Sequence, residues 1–353
     1  MQENKVTIKD IAEELGLGTA TVSNVIHGKT KKISDRTVEK VQEKLEESGY
    51  IPNMAAVLLA QNTSRIVCIV LSDDVRYEKK MLEDPFVSGM LNGLSKELTA
   101  KGYFMMLKEE PDVEQIVRYA SMWNMAGLIL IGYCDMDYEK LRNRMHIPFV
   151  VVDAYTSRVH NYSDVGIDNI RGGYLAGQYL IAQGHQRIMY LSDNDEGCDH
   201  DRYEGLKQAQ KEAGIACLPK DFRWLHPSRQ RRMEIYETLY EKRNEYTAAF
   251  VASDVFAIEF MNFLQDKGVS IPEEFSVMGF DNIPLADCIR PGLTTIAQDL
   301  GQRAQAAVEL LQELIDGKTQ GRQELLPVEL IIRESVRDIR EKKEKGLASA
   351  RRK

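Results

Sequence analysis

Cysteine is scarce and scattered in this chain. Cys68, Cys134, Cys198, Cys217 and Cys288 form no CxxC pair and no metal-like spacing. That excludes a disulfide framework or a structural zinc site and reads as reduced thiols of a cytosolic protein. Long apolar runs are missing too. No stretch reaches the ~18 apolar residues of a spanning helix, and the polar start MQENKVTIKD lacks a signal-peptide core. Positive charge is not in excess: 46 Lys and Arg stand against 54 Asp and Glu, a formal net charge of −8. Indiscriminate attraction to nucleic acid is therefore excluded as a mode of action. No GxGxxG after a strand, no GxxxxGK[ST], no HExxH and no GxSxG occurs, so no common nucleotide-binding or hydrolytic site is signalled.

Apolar residues make up 43 % of the 353 positions, enough for two or three domains with sizeable cores. Three textures follow one another. Residues 5–48 carry short helical patterns with cap signals. Residues 49–64, GYIPNMAAVLLAQNTS, open on Gly and Pro and run into a short apolar helix pattern. From Ile66 onward, apolar strands alternate with amphipathic helices. Strands are expected at Ile66–Leu71, Tyr103–Leu107, Gly127–Ile131, Phe149–Val152, Asp164–Ile167, Arg187–Leu191, Ala248–Val251 and Phe275–Phe280. Helical patterns such as Phe86–Lys101 and Gly172–Gln183 separate them. This alternation implies parallel sheets with helices on both faces. About ten such units over roughly 270 residues exceed one compact sheet, so two α/β lobes are expected. The stretch Arg337–Lys353 is charged, lacks apolar periodicity and reads as a frayed tail.

The first 48 residues read as a helix-turn-helix. Thr7 and Asp10 signal a shortened capping box for a helix with Ile8, Ile11, Ala12 and Leu15 on its apolar face. Gly16 ends it, because the tight turn wants a residue that tolerates positive φ. Leu17 plugs the turn into the core, and a second helix from about Thr19 buries Val22, Val25 and Ile26. Its other face shows Thr19, Ala20, Thr21, Ser23 and Asn24, small side chains that leave base edges and phosphates approachable. Ser34 caps a third helix, Asp35–Glu47. A generic three-helix bundle shares much of this pattern. Residues 1–64 hold eight basic and nine acidic residues, net −1, whereas Thr21–Lys44 hold six and three, net +3. Any phosphate affinity must come from local placement.

The opening VTIKDIAEELGLGTATVSNVI, the following SGYIPN, and the later GHQRI, RYEGL, FVASD, VMGFDN and LTTIAQD resemble the lactose/galactose/purine repressor family of bacterial transcription regulators. The resemblance covers residues 6 to about 336. It implies an all-α helix-turn-helix headpiece plus an α/β periplasmic-binding-protein-like sensor of two doubly wound lobes. The headpiece would be residues 1–48, a hinge helix 49–64, one lobe 65–165 with 297–325, the other 166–296 with 326–338, and a tail 339–353. The second helix would lie in the major groove, with Thr19, Ala20 and Asn24 reading bases and Thr7, Thr21, Ser23, Lys29 and Thr30 near phosphates. Tyr50, Asn53 and Ala56 would belong to the DNA-bound hinge, and Leu59 of each subunit would wedge into the minor groove and kink the duplex. Two positions depart from the pattern. Gly18 stands where the family often has a capping Ser, and Val57 where it usually has Arg, which removes a cation near the DNA.

A ligand between two lobes meets the carboxyl ends of their strands. Polar residues follow apolar runs at Ser72-Asp73, Asp153, Asp168, Ser253-Asp254 and Asp281. Arg202 and Asp281 suit vicinal hydroxyls best, a planar donor fork beside an acceptor pair. An interdomain salt bridge is the plainer use of the same pair. The resemblance adds Trp224 as a stacking aromatic, Gln298 and Asp153 as polar contacts, and Ser253 where many members have Asn. Cys198 lies on the approach to Arg202, and Tyr77 and Lys79 sit in the long charged segment 72–85 that borders the cleft. The implied partners are operator DNA, a sugar or related small polar effector, and a second copy of the chain. The operator would be a pseudo-palindrome with half-sites about one helical turn apart. No cofactor, metal or membrane is implied. An extracytoplasmic sugar-binding protein and an α/β enzyme are the competing readings. The headpiece and missing signal peptide argue against the first, the missing motifs against the second. His185 in GHQRI reads as a structural turn residue rather than a base.

Overall fold

A computed structural model describes residues 6–26, 28–50, 64–72, 81–133, 135–153 and 163–340. The chain divides into two units, Met1–Arg65 and Ile66–Lys353. In the first, α1 (Ile8–Leu15), α2 (Thr19–Ile26) and α3 (Asp35–Glu47) share one small core of Ile11, Ala12, Val22, Val25 and Val41. The capping box forms as its spacing requires. The Asp10 N–H donates to the Thr7 hydroxyl at 3.3 Å, and the Thr7 N–H donates to the Asp10 carboxylate at 2.8 Å. Gly16 takes φ 64°, which turns the chain so that the Leu17 N–H returns to the Ala12 carbonyl. Ser34 caps α3 through the Thr37 N–H. Gly18 gives α2 only its carbonyl, which accepts from Thr21 and Val22.

The strands of the second unit are β1 (Ile66–Leu71), β2 (Phe104–Glu109), β3 (Gly127–Ile131), β4 (Phe149–Val152), β5 (Asp164–Ile167) and β6 (Ile188–Ser192). They continue with β7 (Phe222–Trp224), β8 (Ala248–Val251), β9 (Ser276–Asp281), β10 (Thr294–Ala297), β11 (Gln323–Leu326) and β12 (Glu329–Ile331). Between them run α4 (Pro85–Ala100), α5 (Val113–Met122), α6 (Asp135–Arg144), α7 (Asn169–Ala182), α8 (Gly197–Glu212) and α9 (Arg229–Glu241). The remaining helices are α10 (Asp254–Asp266), α11 (Leu285–Cys288) and α12 (Leu300–Ile315).

Two six-stranded sheets result, ordered β11-β5-β4-β3-β1-β2 and β12-β10-β9-β8-β6-β7. All pairings are parallel except that of β10 with β12. Both sheets are doubly wound, and each reverses its strand order beside its first strand, where such folds open a crevice at the carboxyl ends. Their central strands are buried throughout, which explains their unbroken apolar runs. The chain crosses between the sheets after β5, after β10 and after β11, so neither lobe is one continuous segment.

β1, β3, β4, β5 and β8 have the ends expected from sequence, and β2, β6 and β9 differ by one or two residues. β7, β10, β11 and β12 are not signalled by the pattern. Three of them are short edge strands without a fully buried residue, so no apolar run marks them. His185 is fully buried, with Nδ1 2.9 Å from the Thr247 hydroxyl and Nε2 3.1 Å from the Arg337 carbonyl oxygen. Burial holds its imidazole down to about 4, so it is a neutral structural tie.

α7 and α8 approach on glycine. A Cβ on Gly173 would overlap the Arg202 carbonyl, and one on Gly205 would overlap the Ile170 carbonyl. This close crossing seats Arg202 against the start of α7. Gly173→Ala or Gly205→Ala is expected to cost roughly 3 kcal/mol, read as a lowered denaturation midpoint. Unchanged stability in both variants would show that the helices can separate freely.

Candidate functional site

The carboxyl ends of the two sheets face one cavity of about 340 Å³, a size suited to a small ligand. Asp153 follows β4, Asp193 follows β6, Ser253 follows β8, Asp281 ends β9 and Gln298 follows β10. The start of α8 adds Cys198, Asp199 and Arg202, and the start of α4 adds Asp84, Pro85 and Phe86. A second cavity of about 330 Å³ adjoins it behind Phe86, Asp281 and Gln298, bounded by Ile283, Pro284 and Leu300.

Arg202 is buried and held on nearly every side. Its Nε donates to Asn169 Oδ1 at 2.9 Å, and its Nη1 donates to the Ala252 carbonyl at 2.6 Å and to Asp199 Oδ1 at 3.3 Å. The guanidinium lies 3.7 Å from the centre of the Phe280 ring, and its Nη2 is 4.0 Å from Asp281 Oδ1. A planar fork fixed in this way presents its remaining donor in a set direction. Asp281 accepts from the Gln298 side-chain amide at 2.6 Å. Burial pushes its carboxyl up to about 7, against the opposing pull of Arg202 and Gln298. Its backbone has φ 114°, and Asp153 has φ 59°. Two non-glycine wall residues thus hold left-handed backbone, a cost proteins accept chiefly at functional sites.

Behind the wall lies Arg303, fully buried on α12. Its Nη2 sits 2.5 Å from Asp153 Oδ1, its Nη1 donates to the Gln298 side-chain carbonyl, and Phe86 covers it at 5.4 Å. Because the Gln298 carbonyl faces Arg303, its amide must face Asp281. A polar chain therefore runs Asp153–Arg303–Gln298–Asp281–Arg202 from one sheet to the other. Asp254, also fully buried, accepts from the Thr295 hydroxyl at 2.6 Å and the Ile283 N–H at 3.0 Å, which fixes the loop after Asp281.

Of the residues expected from sequence, Asp153, Arg202, Ser253, Asp281 and Gln298 meet at this cavity, as does Cys198. Burial drives the Cys198 thiol well above its usual range, so it serves as a wall and not a nucleophile. Trp224 does not line the cavity. It ends the edge strand β7 and is 45 % exposed. Asp73, Tyr77 and Lys79 lie outside the described residues, as do Asn53, Ala56, Val57 and Leu59. Sequence reasoning missed Arg303, Asn169, Asp199 and Arg232. Arg303 carried a signal, a charge on the apolar stripe of Leu300, Ala304, Ala307, Val308 and Leu311. Asp199 carried another, its spacing of three from Arg202 on one helix.

On the headpiece, Thr19, Ala20 and Asn24 are exposed on α2, while Thr21 and Ser23 are half-buried. Lys29 is exposed, and Thr30 is half-buried, in the turn before α3. The Thr7 hydroxyl is engaged in the cap. Tyr50 packs in part against the headpiece core, its N–H on the Leu45 carbonyl at 3.1 Å.

Comparison with known proteins agrees with this division. Residues 7–53 match the family model described as bacterial regulatory proteins, lacI family. Residues 178–336 match a periplasmic binding protein-like domain. The chain is 31 % identical over 348 residues to the HTH-type transcriptional repressor PurR of Vibrio vulnificus, covering 94 % of this chain and 99 % of that protein. A transcriptional regulator CelR–cellobiose complex is similar at 26 % identity with TM-score 0.70, over 94 % of this chain and 99 % of that one. The lac repressor dimer bound to operator and the anti-inducer ONPF shares the fold at TM-score 0.82 and 24 % identity, over 95 % of this chain and 100 % of that one.

Proposed function

The chain belongs to the lacI family of bacterial regulatory proteins, and on that premise we propose that it is a repressor answering to a sugar-like effector held between its two sheets. It is a DNA-binding transcription regulator that works with operator DNA, a small-molecule effector and a second copy of itself. The observation that carries the effector site is the Arg202–Asp281 pair at the strand ends, a fixed donor beside an acceptor in a cavity of fitting size. The cellobiose in the CelR structure supports a sugar. The DNA-reading residues are Thr19, Ala20 and Asn24 at bases, with Thr7, Thr21, Ser23, Lys29 and Thr30 at phosphates, and Tyr50, Asn53, Ala56 and Leu59 in the hinge.

The second copy covers an apolar edge. β2 closes the first sheet on one side and leaves Phe104 57 % exposed, and Met122 and Trp123 at the end of α5 are exposed as well. An apolar edge strand of this kind is a liability in a lone chain and an asset in a dimer. Effector bound across both sheets shifts their relative angle, and in a dimer that decides whether two hinges can meet on DNA. The protein acts in the cytoplasm by binding, without catalysis; no helix among the described residues is long and apolar enough to cross a membrane.

Deleting residues 1–60 is expected to abolish operator binding in a mobility-shift assay and leave effector binding intact by calorimetry. A truncated protein that still binds operator specifically would refute the headpiece assignment.

A further inference from the structure

One stretch of the cavity wall is built by the second sheet alone. The connection from β7 to α9 brings Pro227 to it, and the start of α10, after β8, brings Val255 and Phe256. β7 and β8 flank β6, so these two connections stand on either side of the end of β6. The first has little local structure to hold it. β7 is an edge strand of three residues whose pairing with β6 covers only Phe222 to Trp224, and a segment with so few backbone ties opens easily.

Arg232 provides the further tie. It stands in the first turn of α9 with its side chain 10 % exposed. Its Nη1 donates to the His226 carbonyl at 3.0 Å and to the Pro227 carbonyl, and its Nε and Nη2 donate to the two Glu259 oxygens at 2.7 and 3.3 Å. Glu259 lies on α10 one turn beyond Phe256 and also accepts from the Tyr236 hydroxyl at 3.2 Å. The guanidinium itself lies 4.9 Å from the centre of the Phe256 ring. A planar fork that meets carbonyls along one edge and a carboxylate along another makes a rigid strut, which a lysine would not. α9 and α10 already pack through Tyr236 on Phe260, ring centres 5.1 Å apart, so the helices touch without the ion pair. The strut stands where the cavity ends, with Arg232 facing the cavity beside the wall it holds.

We propose that Arg232 is a specificity-determining residue: it seats Pro227 against Phe256 and so sets how far a ligand can extend along this side of the cavity. The proposal rests on reading the cavity as the effector site. A wall held in this way discriminates by length, because a longer ligand must displace Pro227 and break the tie.

Calorimetry on the full-length protein tests it with short and long members of matched pairs: D-glucose and cellobiose, D-xylose and xylobiose, adenine and adenosine. At least one pair should bind the parent. Arg232→Ala should raise affinity for the long member relative to the short by at least roughly tenfold. Leu239→Ala loosens the same core from the same helix but does not line the cavity, and it should leave that ratio where it was. Arg232→Ala combined with Glu259→Gln takes over if the single variant does not fold, because it removes the carboxylate along with its arginine. A ratio unmoved by the Arg232 variant, or moved as far by Leu239→Ala, overturns the proposal and leaves the effector site standing. Silence from every pair overturns the reading of the cavity, and the proposal with it.

Discussion

Replacing Arg303 by methionine is expected to cost about 3–5 kcal/mol of folding free energy, read as a lower urea midpoint at unchanged slope. The magnitude follows from what the change leaves behind. Arg303 is fully buried, and its guanidinium is 2.5 Å from Asp153. Methionine fills similar space but strands the Asp153 carboxylate and the Gln298 side-chain carbonyl without their donor. A buried group left unpaired costs more than the pair contributed. The double variant Arg303→Met with Asp153→Asn is therefore expected to recover most of the loss. Asparagine removes the stranded charge and tolerates the left-handed backbone at that position. The single variant should also bind effector more weakly, because nothing then sets the Gln298 amide toward Asp281. A single variant as stable as its parent, or a double variant no better than the single, would show that the pair is not a buried ionic contact.

Asp281→Asn is expected to make the protein more stable and less responsive. Burial raises the Asp281 carboxyl to about 7, above its value in an unfolded chain. A carboxyl raised on folding supports stability most fully below the unfolded value of about 4, and that support is lost as pH rises through 7. The variant has no such charge to bury. Its advantage over the parent should be small at pH 4, grow between pH 4 and 7, and level off near pH 8 at a few kcal/mol, roughly 4 at most. Effector affinity should fall about 10–100-fold, since a charged acceptor of hydroxyl groups is gone. Paired denaturation curves at pH 5 and pH 8 decide the first point. An advantage that shrinks with rising pH would place the ionised form of Asp281 among the stabilising groups. Full effector response in the variant would remove Asp281 from the site. The combination would mark a site built for function at the expense of stability, in keeping with the strained backbone at Asp281 and Asp153.

Much of this was legible in local chemistry. The headpiece is short-range throughout: a cap three residues from its partner, a glycine where φ must be positive, and apolar residues at helical spacing. Its three helices therefore have the ends the sequence announces. The central strands are legible for a similar reason, since a strand buried on both faces must be an apolar run. The polar residue closing such a run was enough to nominate Asp153, Ser253 and Asp281. Trp224 shows where this fails. It was nominated by likeness to an aromatic elsewhere, and its place depends on how β7 pairs at the sheet edge, which no local pattern encodes.

By itself, then, the sequence determined the three headpiece helices, the alternating α/β body, the absence of a general basic attraction to DNA, and most of the polar residues at the strand ends. Tertiary structure alone decided which of those residues meet. The chain crosses three times between the sheets, so Asp153, Arg303 and Gln298 come together from segments up to 150 positions apart. It also decided what the acidic residues beside the cleft hold. Asp84, Asp199 and Asp254 are ordinary acidic residues in the sequence; only in the fold does Asp84 cap α4, Asp199 meet Arg202 and Asp254 hold the loop after Asp281.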